Sequence, residues 1–395
     1  MFKHVPRYAG DPILSLMQTF LADPRPEKTN LSIGLYYDNE GRIPVLNSTQ
    51  QARGRLDPDL PRVYLPMEGD KLYRHWVQQQ VFGASHPAAL AGRVTTIHTL
   101  GGSGALKVGA DFLKKYFPDS QVWISDPTWE NHYNILEGAG FTVNTFPYYN
   151  PETNGLRFDE MLAVFQTLPR HAVVLLQPCC HNPTGIDPTR EQWAQLIDVM
   201  LERDVIAFFD MAYQGFGDGL DEDAWVIREM AARGANFLAG NSFSKNMSLY
   251  GERVGGLSVV CPDAEQAEQV LGQLQATVRK NYSTPALFGS RLVTEVLGDA
   301  ALRTLWQQEV AEMRVRIKAM REGLQARLQA LRPDLNLAFL TAQRGMFSYT
   351  GLKPEQVVRL REEFGVYVIH TGRMCVAGLS PANLDRVAQA LAKVM

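Results

Sequence analysis

A lysine in an uncharged stretch is the first residue whose surroundings favour chemistry. Lys245 lies in the segment "NSFSKNMSLYGERVG" (241–255), among serines and asparagines, and Arg253 follows eight residues later. Lysine usually lies on a solvated surface beside other charges, so this position is unusual. Where its surroundings lower the pKa of the amine, a lysine can act as a nucleophile and form a Schiff base with a carbonyl group.

Three further segments end apolar runs with residues that suit the same chemistry. Asp210 closes the run "VIAFFD", with Tyr213 three residues later, and a buried carboxylate needs a positive partner. The rigid turn "QPCCHNPTG" contains Asn182, and "LGGSGALKVGADF" places Gly102 and Ser103 where a helix begins and an anion can bind. Each motif alone has a simpler interpretation, since Asn182 could cap its turn and the glycines could serve packing.

Together these residue types predict a cofactor site for pyridoxal 5'-phosphate. The glycine-rich turn, Ser242 and Arg253 would supply the N–H groups, the hydroxyl and the cation that a phosphate requires. Asp210 would keep the pyridine nitrogen protonated, and Lys245 would bind the aldehyde carbon. A lysine Schiff base with an aspartate on the pyridinium nitrogen is the signature of this cofactor.

The elements that must position these residues form an α/β pattern between about residues 94 and 260. Seven short apolar runs alternate with segments of helical periodicity: "VTTIHTL", "VWISDP", "TVNTFPY", "AVVLLQP", "VIAFFD", "NFLAGNSF" and "GGLSVVC". Near-continuously apolar strands that alternate with helices predict a parallel or mixed sheet covered on both faces. Ligands of such sheets bind beyond the carboxyl ends of the strands, which is where the polar residues occur.

The rest of the chain predicts a second, smaller domain built from both ends of the sequence. A helical pattern of nearly thirty residues precedes Pro333 and would connect the two domains. The last eighty residues or so carry an α+β pattern, with "GMFSYTGL" and "YVIHTG" as predicted strands. We expect residues 41–312 to form the large domain, with 1–40 as an arm and part of the small domain and 313–395 as its remainder.

Composition and charge exclude several other classes of protein. The chain has 395 residues, 45% of them hydrophobic, and its formal net charge of -3 does not suit a nucleic-acid surface. The four cysteines form no C-x-x-C pair, so we expect neither a metal site nor a disulfide framework, even at Cys179-Cys180-His181. The N-terminus lacks the apolar region of a signal peptide, which predicts a cytoplasmic protein.

The motifs resemble those of the class I aspartate and aromatic aminotransferases, which have pyridoxal-phosphate fold type I. The resemblance rests on "SDPTWENH", "CCHNPTG", "DMAYQGF", "NSFSKNMSLYGERVGG" and "TGRMCVAGL", and it covers essentially the whole chain in order. "YAGDPIL", "LSIGLYYD", "YLPMEG" and "LGGSGALKVGADFLKKYFP" look like the bacterial aromatic (tyrosine) branch of the family. This implies a large, mostly parallel seven-stranded sheet domain with helices on both faces, and a smaller α+β domain.

The resemblance implies a role for each residue around the cofactor. Lys245 holds the cofactor and moves the proton, while Asp210 pairs with the pyridinium nitrogen and His132 stands behind Asp210. The other implied contacts are Trp129 stacked on the ring, Tyr213 and Asn182 at the phenolate oxygen, and Gly102, Ser103, Ser242, Arg253 and the second subunit's copy of Tyr64 at the phosphate.

The resemblance also implies how substrates bind. Arg373 grips the α-carboxylate, the backbone of Gly34 closes over it, and Trp129 and Asn182 contact the substrate as well. Arg279 crosses a subunit interface to bind the distal carboxylate of dicarboxylic substrates. The active sites would then be shared between two chains of a homodimer.

The implied reaction moves an amino group from phenylalanine, tyrosine, tryptophan or aspartate to 2-oxoglutarate by a ping-pong mechanism. Leu35, Tyr37 and Ile43 would form an apolar wall for the aromatic ring. One alternative is an aspartate aminotransferase with little aromatic activity, and another is a C–S lyase or decarboxylase of the same fold. A cofactor-binding regulator is a third, but it would need an additional DNA-binding domain.

Overall fold

The chain forms two compact units. The computed structural model describes residues 1–7, 10–59 and 61–395. The smaller unit comprises Met1–Ile43 and Ile317–Met395, and the larger unit comprises Pro44–Arg316. Tyr8 and Ala9 of the motif "YAGDPIL" lie outside the described residues. In the described part of the chain, no helix combines the length and apolar character needed to cross a membrane.

Helices and strands alternate along the chain as far as β10, and helices predominate after it. The helices are α1 (Pro12–Ala22), α2 (Asn47–Arg55), α3 (Lys71–Phe82), α4 (Pro87–Leu90), α5 (Gly101–Tyr116), α6 (Asn131–Gly138), α7 (Phe158–Thr167), α8 (Arg190–Glu202), α9 (Trp225–Ala232), α10 (Ala264–Asn281), α11 (Leu287–Gly298), α12 (Ala300–Leu331), α13 (Phe339–Ala342), α14 (Pro354–Phe364) and α15 (Leu384–Val394). The strands are β1 (Thr29–Asn30), β2 (Val94–Leu100), β3 (Val122–Asp126), β4 (Val143–Pro147), β5 (Tyr149–Asn150), β6 (Gly155–Leu156), β7 (Val173–Leu176), β8 (Ile206–Met211), β9 (Phe237–Ser242), β10 (Val254–Val260), β11 (Phe347–Tyr349), β12 (Val366–Tyr367) and β13 (Arg373–Cys375). Two short 3₁₀ helices span Tyr250–Glu252 and Val376–Gly378.

All seven predicted strands join one sheet in the larger unit. The strand order is β2-β10-β9-β8-β7-β3-β4, and β4, β3, β7, β8 and β9 run parallel to one another. β10 is antiparallel to both of its neighbours, β2 and β9. The strands β7, β9 and β10 are buried along their whole length, as expected for a sheet covered on both faces. The predicted mixed α/β sheet is therefore confirmed.

The smaller unit contains two short pairs of strands. β1 pairs with β12 in parallel, and β11 pairs with β13 in antiparallel register. The predicted strand "YVIHTG" is wrong beyond its first residue, Tyr367, where β12 ends. The chain turns there, because Gly372 adopts a φ of 82° and its N–H donates to the carbonyl of Ile369. β13 begins immediately after this turn.

A buried carboxylate from α12 holds the N-terminus of α2 in the larger unit. Leu46 precedes α2 and supplies no side-chain cap. Instead Glu309, which is 9% exposed, accepts from the N–H of Asn47 at 2.5 Å and from the N–H and hydroxyl of Ser48 at 3.2 and 2.5 Å. The carboxylate thus satisfies N–H groups that the helix itself cannot pair.

We expect Glu309→Ala to lower the free energy of unfolding by about 2 kcal/mol, because it leaves buried donors of α2 without an acceptor. Thermal and urea unfolding followed by circular dichroism would measure this. Glu312→Ala is the matched control, since Glu312 lies exposed on the same helix. Equal midpoints for the two variants would contradict the capping role.

Candidate active site

The antiparallel direction of β10 collects the groups that can bind an anion. Arg253 immediately precedes this strand, so its side chain starts at the edge where β9 ends. In the strand register, Gly255 lies opposite Ser242 at the end of β9, and Val254 lies opposite Leu100 at the end of β2. The N-terminus of α5 follows β2 directly. A cation, a hydroxyl and a helix N-terminus therefore meet at one edge of the sheet.

Glycines allow the guanidinium to approach the backbone of this helix N-terminus. Gly101 has a φ of 66°, and a Cβ placed there would lie 2.6 Å from Nη2 of Arg253. A Cβ on Gly102 would lie 3.4 Å from the Cβ of Ser242 and 3.9 Å from Oδ1 of Asp210. The first turn of α5, which also contains Ser103, thus lies against the guanidinium, in the arrangement that binds phosphate groups.

Ser244 belongs to the same cluster, although it is not among the residues predicted from sequence. Nη1 of Arg253 donates to Oγ of Ser244 at 3.3 Å and to the carbonyl of Tyr250 at 2.8 Å. The hydroxyl of Ser242 donates to Oγ of Ser244 at 3.1 Å. In the sequence, its position next to Lys245 in "NSFSK" was the signal that could have indicated Ser244. These bonds fix the direction of the guanidinium.

Asp210 is buried at the end of β8 and forms a chain of hydrogen bonds. Its Oδ2 lies 3.0 Å from Nε2 of His132, whose Nδ1 lies 2.7 Å from Oγ1 of Thr128. A carboxylate can only accept, so Nε2–H donates to Asp210, and the hydroxyl of Thr128 pairs with Nδ1 of the same ring. The predicted pair of Asp210 and His132 is therefore in contact. Thr128, which was not predicted, directly precedes Trp129 in "DPTWENH".

The side chain of Trp129 is half-buried beside this chain of bonds. Its ring meets the ring of His132 edge to face, with centroids 5.3 Å apart. The position of His132 is thus held from two sides, by Trp129 and by Thr128. Trp129 thus contacts the histidine that donates to the buried carboxylate of Asp210.

Lys245 has the environment of a reactive amine. Its Nζ lies 5.0 Å from the centre of the Tyr213 ring. Burial lowers the pKa of the Lys245 amine, the charge of Asp210 raises it, and the charge of Arg253 lowers it, with a net shift below the usual value. A lowered pKa increases the fraction of neutral amine, which is the form that acts as nucleophile or base.

Asn182 is fixed by a reciprocal pair of hydrogen bonds to a residue that was not predicted. Its N–H donates to Oε1 of Gln177 at 2.8 Å, and Nε2 of Gln177 donates to its carbonyl at 3.0 Å. Asp187 accepts from the N–H groups of Cys180 and His181 at 2.7 and 2.9 Å. The backbone of the turn that carries Asn182 is therefore held by the side chains of Gln177 and Asp187, without a ligand.

The ring of His181 and the thiols of Cys179 and Cys180 have different partners in the structure. The His181 ring pairs with Ser125 at 2.9 Å and with Thr184 at 2.8 Å. Among the described residues, the two thiols group with a carboxylate oxygen of Asp223 within 4.8 Å.

That carboxylate is already engaged. It accepts from the backbone N–H groups of Gly215, Gly217 and Asp218 at 2.8–2.9 Å and thereby shapes a loop. The contacts of Asp223 are those of a structural residue.

Within the smaller unit, Arg373, Phe347 and Gly34 come together. Arg373 is 6% exposed, its Nη2 donates to the carbonyl of Ser32 at 2.8 Å, and its guanidinium lies 4.4 Å from the centre of the Phe347 ring. A Cβ on Gly34 would lie 2.8 Å from Cζ of the same ring. The plane of the guanidinium is therefore set before any ligand binds, as a bidentate carboxylate contact requires.

Tyr64 and Arg279, the two residues expected to serve a second subunit, are both exposed. The Tyr64 side chain is 90% exposed, a high value for a large aromatic residue. Arg279 is exposed near the end of α10, where it donates to the hydroxyl of Ser283. Both side chains are accessible to another molecule from the surface of the larger unit.

The comparisons with known proteins agree with the fold. The sequence model for aminotransferase class I and II matches residues 26–391. The aromatic-amino-acid aminotransferase of Escherichia coli (strain K12) is 59% identical over 397 residues, which cover 100% of both chains. The chain therefore belongs to the class I and II aminotransferase family, and it is an α/β enzyme of that family.

Two solved structures show how closely the fold matches. An aromatic amino acid aminotransferase from Burkholderia cenocepacia J2315 has a TM-score of 0.97 and 57% identity, covering 100% of this chain and 98% of that one. An aromatic-amino-acid aminotransferase from Burkholderia pseudomallei, covalently bound to pyridoxal phosphate, has a TM-score of 0.98 and 48% identity, covering 100% and 99%.

Because the charge of Asp210 raises the pKa of Lys245, we expect Asp210→Asn to lower that pKa further. The pH dependence of Lys245 acetylation in the cofactor-free protein, followed by mass spectrometry, would measure the shift. Asp119→Asn, at an exposed carboxylate, should leave the Lys245 titration unchanged. An unchanged or raised pKa in Asp210→Asn would show that the two groups do not interact.

Proposed function

We propose that this enzyme is a pyridoxal-phosphate-dependent aromatic-amino-acid aminotransferase. It would move the amino group of phenylalanine, tyrosine, tryptophan or aspartate to 2-oxoglutarate by a ping-pong mechanism. The observation that carries the proposal is the grouping of a lysine with lowered pKa, a buried aspartate and an arginine at one edge of the sheet. The names of the similar proteins from Escherichia coli and Burkholderia support the aromatic substrates.

The donor set fits pyridoxal phosphate, which supplies an electron sink for negative charge at the substrate α-carbon. The phosphate would be held by the proposed ligands Gly102, Ser103, Ser242, Arg253 and the second subunit's copy of Tyr64. Asp210 would keep a proton on the ring nitrogen, and its bond to His132 holds the carboxylate in position. Tyr213 and Asn182 would bind the phenolate oxygen, and Trp129 would stack on the ring.

Lys245 would carry the proton transfer. In its neutral form the amine would remove the proton from the α-carbon of the amino acid, and the resulting ammonium would deliver that proton to the carbon on the other side of the amino nitrogen. The lowered pKa of Lys245 supports this role, because a general base must be unprotonated at the working pH. The positive charge of Arg253 contributes to that lowering and would also balance the phosphate.

Arg373 would hold the α-carboxylate of every substrate. Its burial and its contact with Phe347 support a fixed, bidentate geometry. The close contact of Gly34 with the same aromatic ring supports its proposed position over the carboxylate.

We further propose that residues 41–312 form the cofactor domain and that 1–40 and 313–395 form the smaller domain, as the two compact units support.

An aromatic side chain would bind against Leu35, Tyr37 and Ile43. Burial raises the pKa of the Tyr37 hydroxyl, so this ring presents a neutral surface. Covering a phenyl ring with such a wall is worth about 2–3 kcal/mol. The second candidate is an aspartate aminotransferase with little aromatic activity, and the presence of Arg279 favours it, because a guanidinium suits the distal carboxylate of a dicarboxylic acid.

A panel of donors against 2-oxoglutarate would separate the two candidates. We expect efficient use of phenylalanine and tyrosine beside aspartate. A preference for aspartate over phenylalanine of about a thousandfold in kcat/KM, or ~4 kcal/mol, would leave a plain aspartate aminotransferase.

In Arg279→Leu, we expect aspartate and 2-oxoglutarate to lose about a hundredfold in kcat/KM while the phenylalanine half-reaction changes little. Lys280→Leu, at an exposed neighbour, is the matched control.

We also propose that the enzyme is a homodimer with shared active sites and that it works in the cytoplasm. The exposure of Tyr64 and Arg279 supports their use by a second chain. The bacterial origin of the similar proteins supports the cytoplasmic setting.

Mixing two inactive variants would test the shared sites. Lys245→Ala should abolish turnover, and Arg279→Ala should lose aspartate activity. In a hybrid of these chains, one site contains an intact Lys245 and an intact Arg279, whereas the other contains neither. Random exchange should therefore restore about a quarter of wild-type aspartate activity. No recovery after verified exchange would show that each site uses the Arg279 of its own chain.

A further inference from the structure

A cavity of about 400 Å³ lies at the edge of the seven-stranded sheet remote from Lys245. Its walls include Ile206 at the start of β8, Phe237 at the start of β9 and Val260 at the end of β10. Phe117, just after α5, and Val270 of α10 complete it. The residues proposed to bind the phosphate lie at the other ends of α5, β9 and β10. The cavity is therefore separated from them by the length of a strand, roughly 15–20 Å.

The size and the walls of the cavity suit a small aromatic molecule. Cavities that bind small ligands typically enclose about 300–1,000 Å³. Phe112, Phe117 and Phe237 contribute aromatic rings, and Leu238 and Val259 contribute aliphatic surface. Most of these side chains are almost fully buried, with Phe237 at 1% and Leu238 at 3% exposure. A planar ring could therefore contact aromatic faces and edges on several sides.

The lining selects an uncharged ligand. Among the sixteen described residues that line the cavity, none carries an acidic, basic or imidazole side chain. Burial raises the pKa of the Cys261 thiol to about 11, so that group is neutral as well. An amino acid or oxo acid would bring charges into this site without a partner, which is costly. The substrates of the proposed reaction are therefore poor ligands for it.

Amide groups at the mouth offer a hydrogen bond. Asn236 and Gln269 line the cavity, are exposed to solvent, and make no hydrogen bond from their side chains within the described part of the chain. By contrast, Oε1 of Gln273 already accepts from Nζ of Lys115 and from the hydroxyl of Tyr116. An amide oxygen of Asn236 or Gln269 can accept from an N–H or O–H of a ligand whose ring lies inside.

We infer that this cavity is a second binding site of the enzyme, which takes a neutral one- or two-ring aromatic compound bearing an N–H or O–H group. Indole has these properties and serves as the probe. The inference does not depend on the proposed substrate range, because the cavity and the phosphate ligands occupy opposite ends of the same elements.

Crystals of the holoenzyme soaked in 5-bromoindole would locate the ligand directly. We expect an anomalous bromine peak inside the cavity, between Phe112 and Val270. A bromine peak only near Lys245, or no peak at all, would overturn the inference. This experiment needs no variant, so it stands even if a substituted protein fails to fold.

Calorimetric titration of the holoenzyme with indole would give the affinity. Val270→Trp should fill the cavity and weaken indole binding by at least about tenfold. Val358→Trp makes the same change at a valine that is 40% exposed in the smaller unit, and it should bind indole as wild type does. Equal affinities for wild type and Val270→Trp would place indole elsewhere. Aminotransferase activity is recorded in parallel, so a failure of the proposed function is distinguishable from a failure of this site.

Discussion

The contact of the Arg253 guanidinium with the glycine backbone at the start of α5 is the constraint on which the proposed cofactor site depends. The contact exists because β10 runs antiparallel to β2 and β9, which brings Arg253 to the edge where those strands end. Glycine suits position 101, because the backbone there has a φ of 66° and a Cβ would displace the guanidinium. Strand direction, glycine placement and one positive charge therefore combine to make an anion site.

The charges at this edge also determine the chemistry of Lys245. Asp210 and Arg253 shift its pKa in opposite directions, and burial decides the net lowering. The hydrogen bond from His132 holds Asp210, and Thr128 fixes the histidine in turn. The groups that shift the pKa of the lysine, and the residues that hold them, are thus distributed over three separate segments of the chain.

The smaller unit contains a buried guanidinium, that of Arg373. Arg373 is fixed by the Ser32 carbonyl and the Phe347 ring, so a carboxylate can meet a guanidinium whose direction is already set. These residues come from both ends of the chain, since Ser32 lies near the N-terminus and the other two near the C-terminus. Fixing the cation in advance reduces the entropy lost on binding.

The sequence by itself determined the seven strands and the long helix before Pro333, because apolar periodicity is a local signal. Isolated polar residues at strand ends are local signals as well, and they indicated Lys245, Asp210 and Asn182 as candidates. It could not determine the strand order, and so the approach of Arg253 to Gly101 depended on the tertiary structure. Ser244, Thr128 and Gln177 gained their roles only through partners that folding brings close. The predicted strand "YVIHTG" failed because its turn is set by the backbone of Gly372, which apolar periodicity does not report. Local patterns fix which elements form, whereas long-range pairing decides which side chains meet.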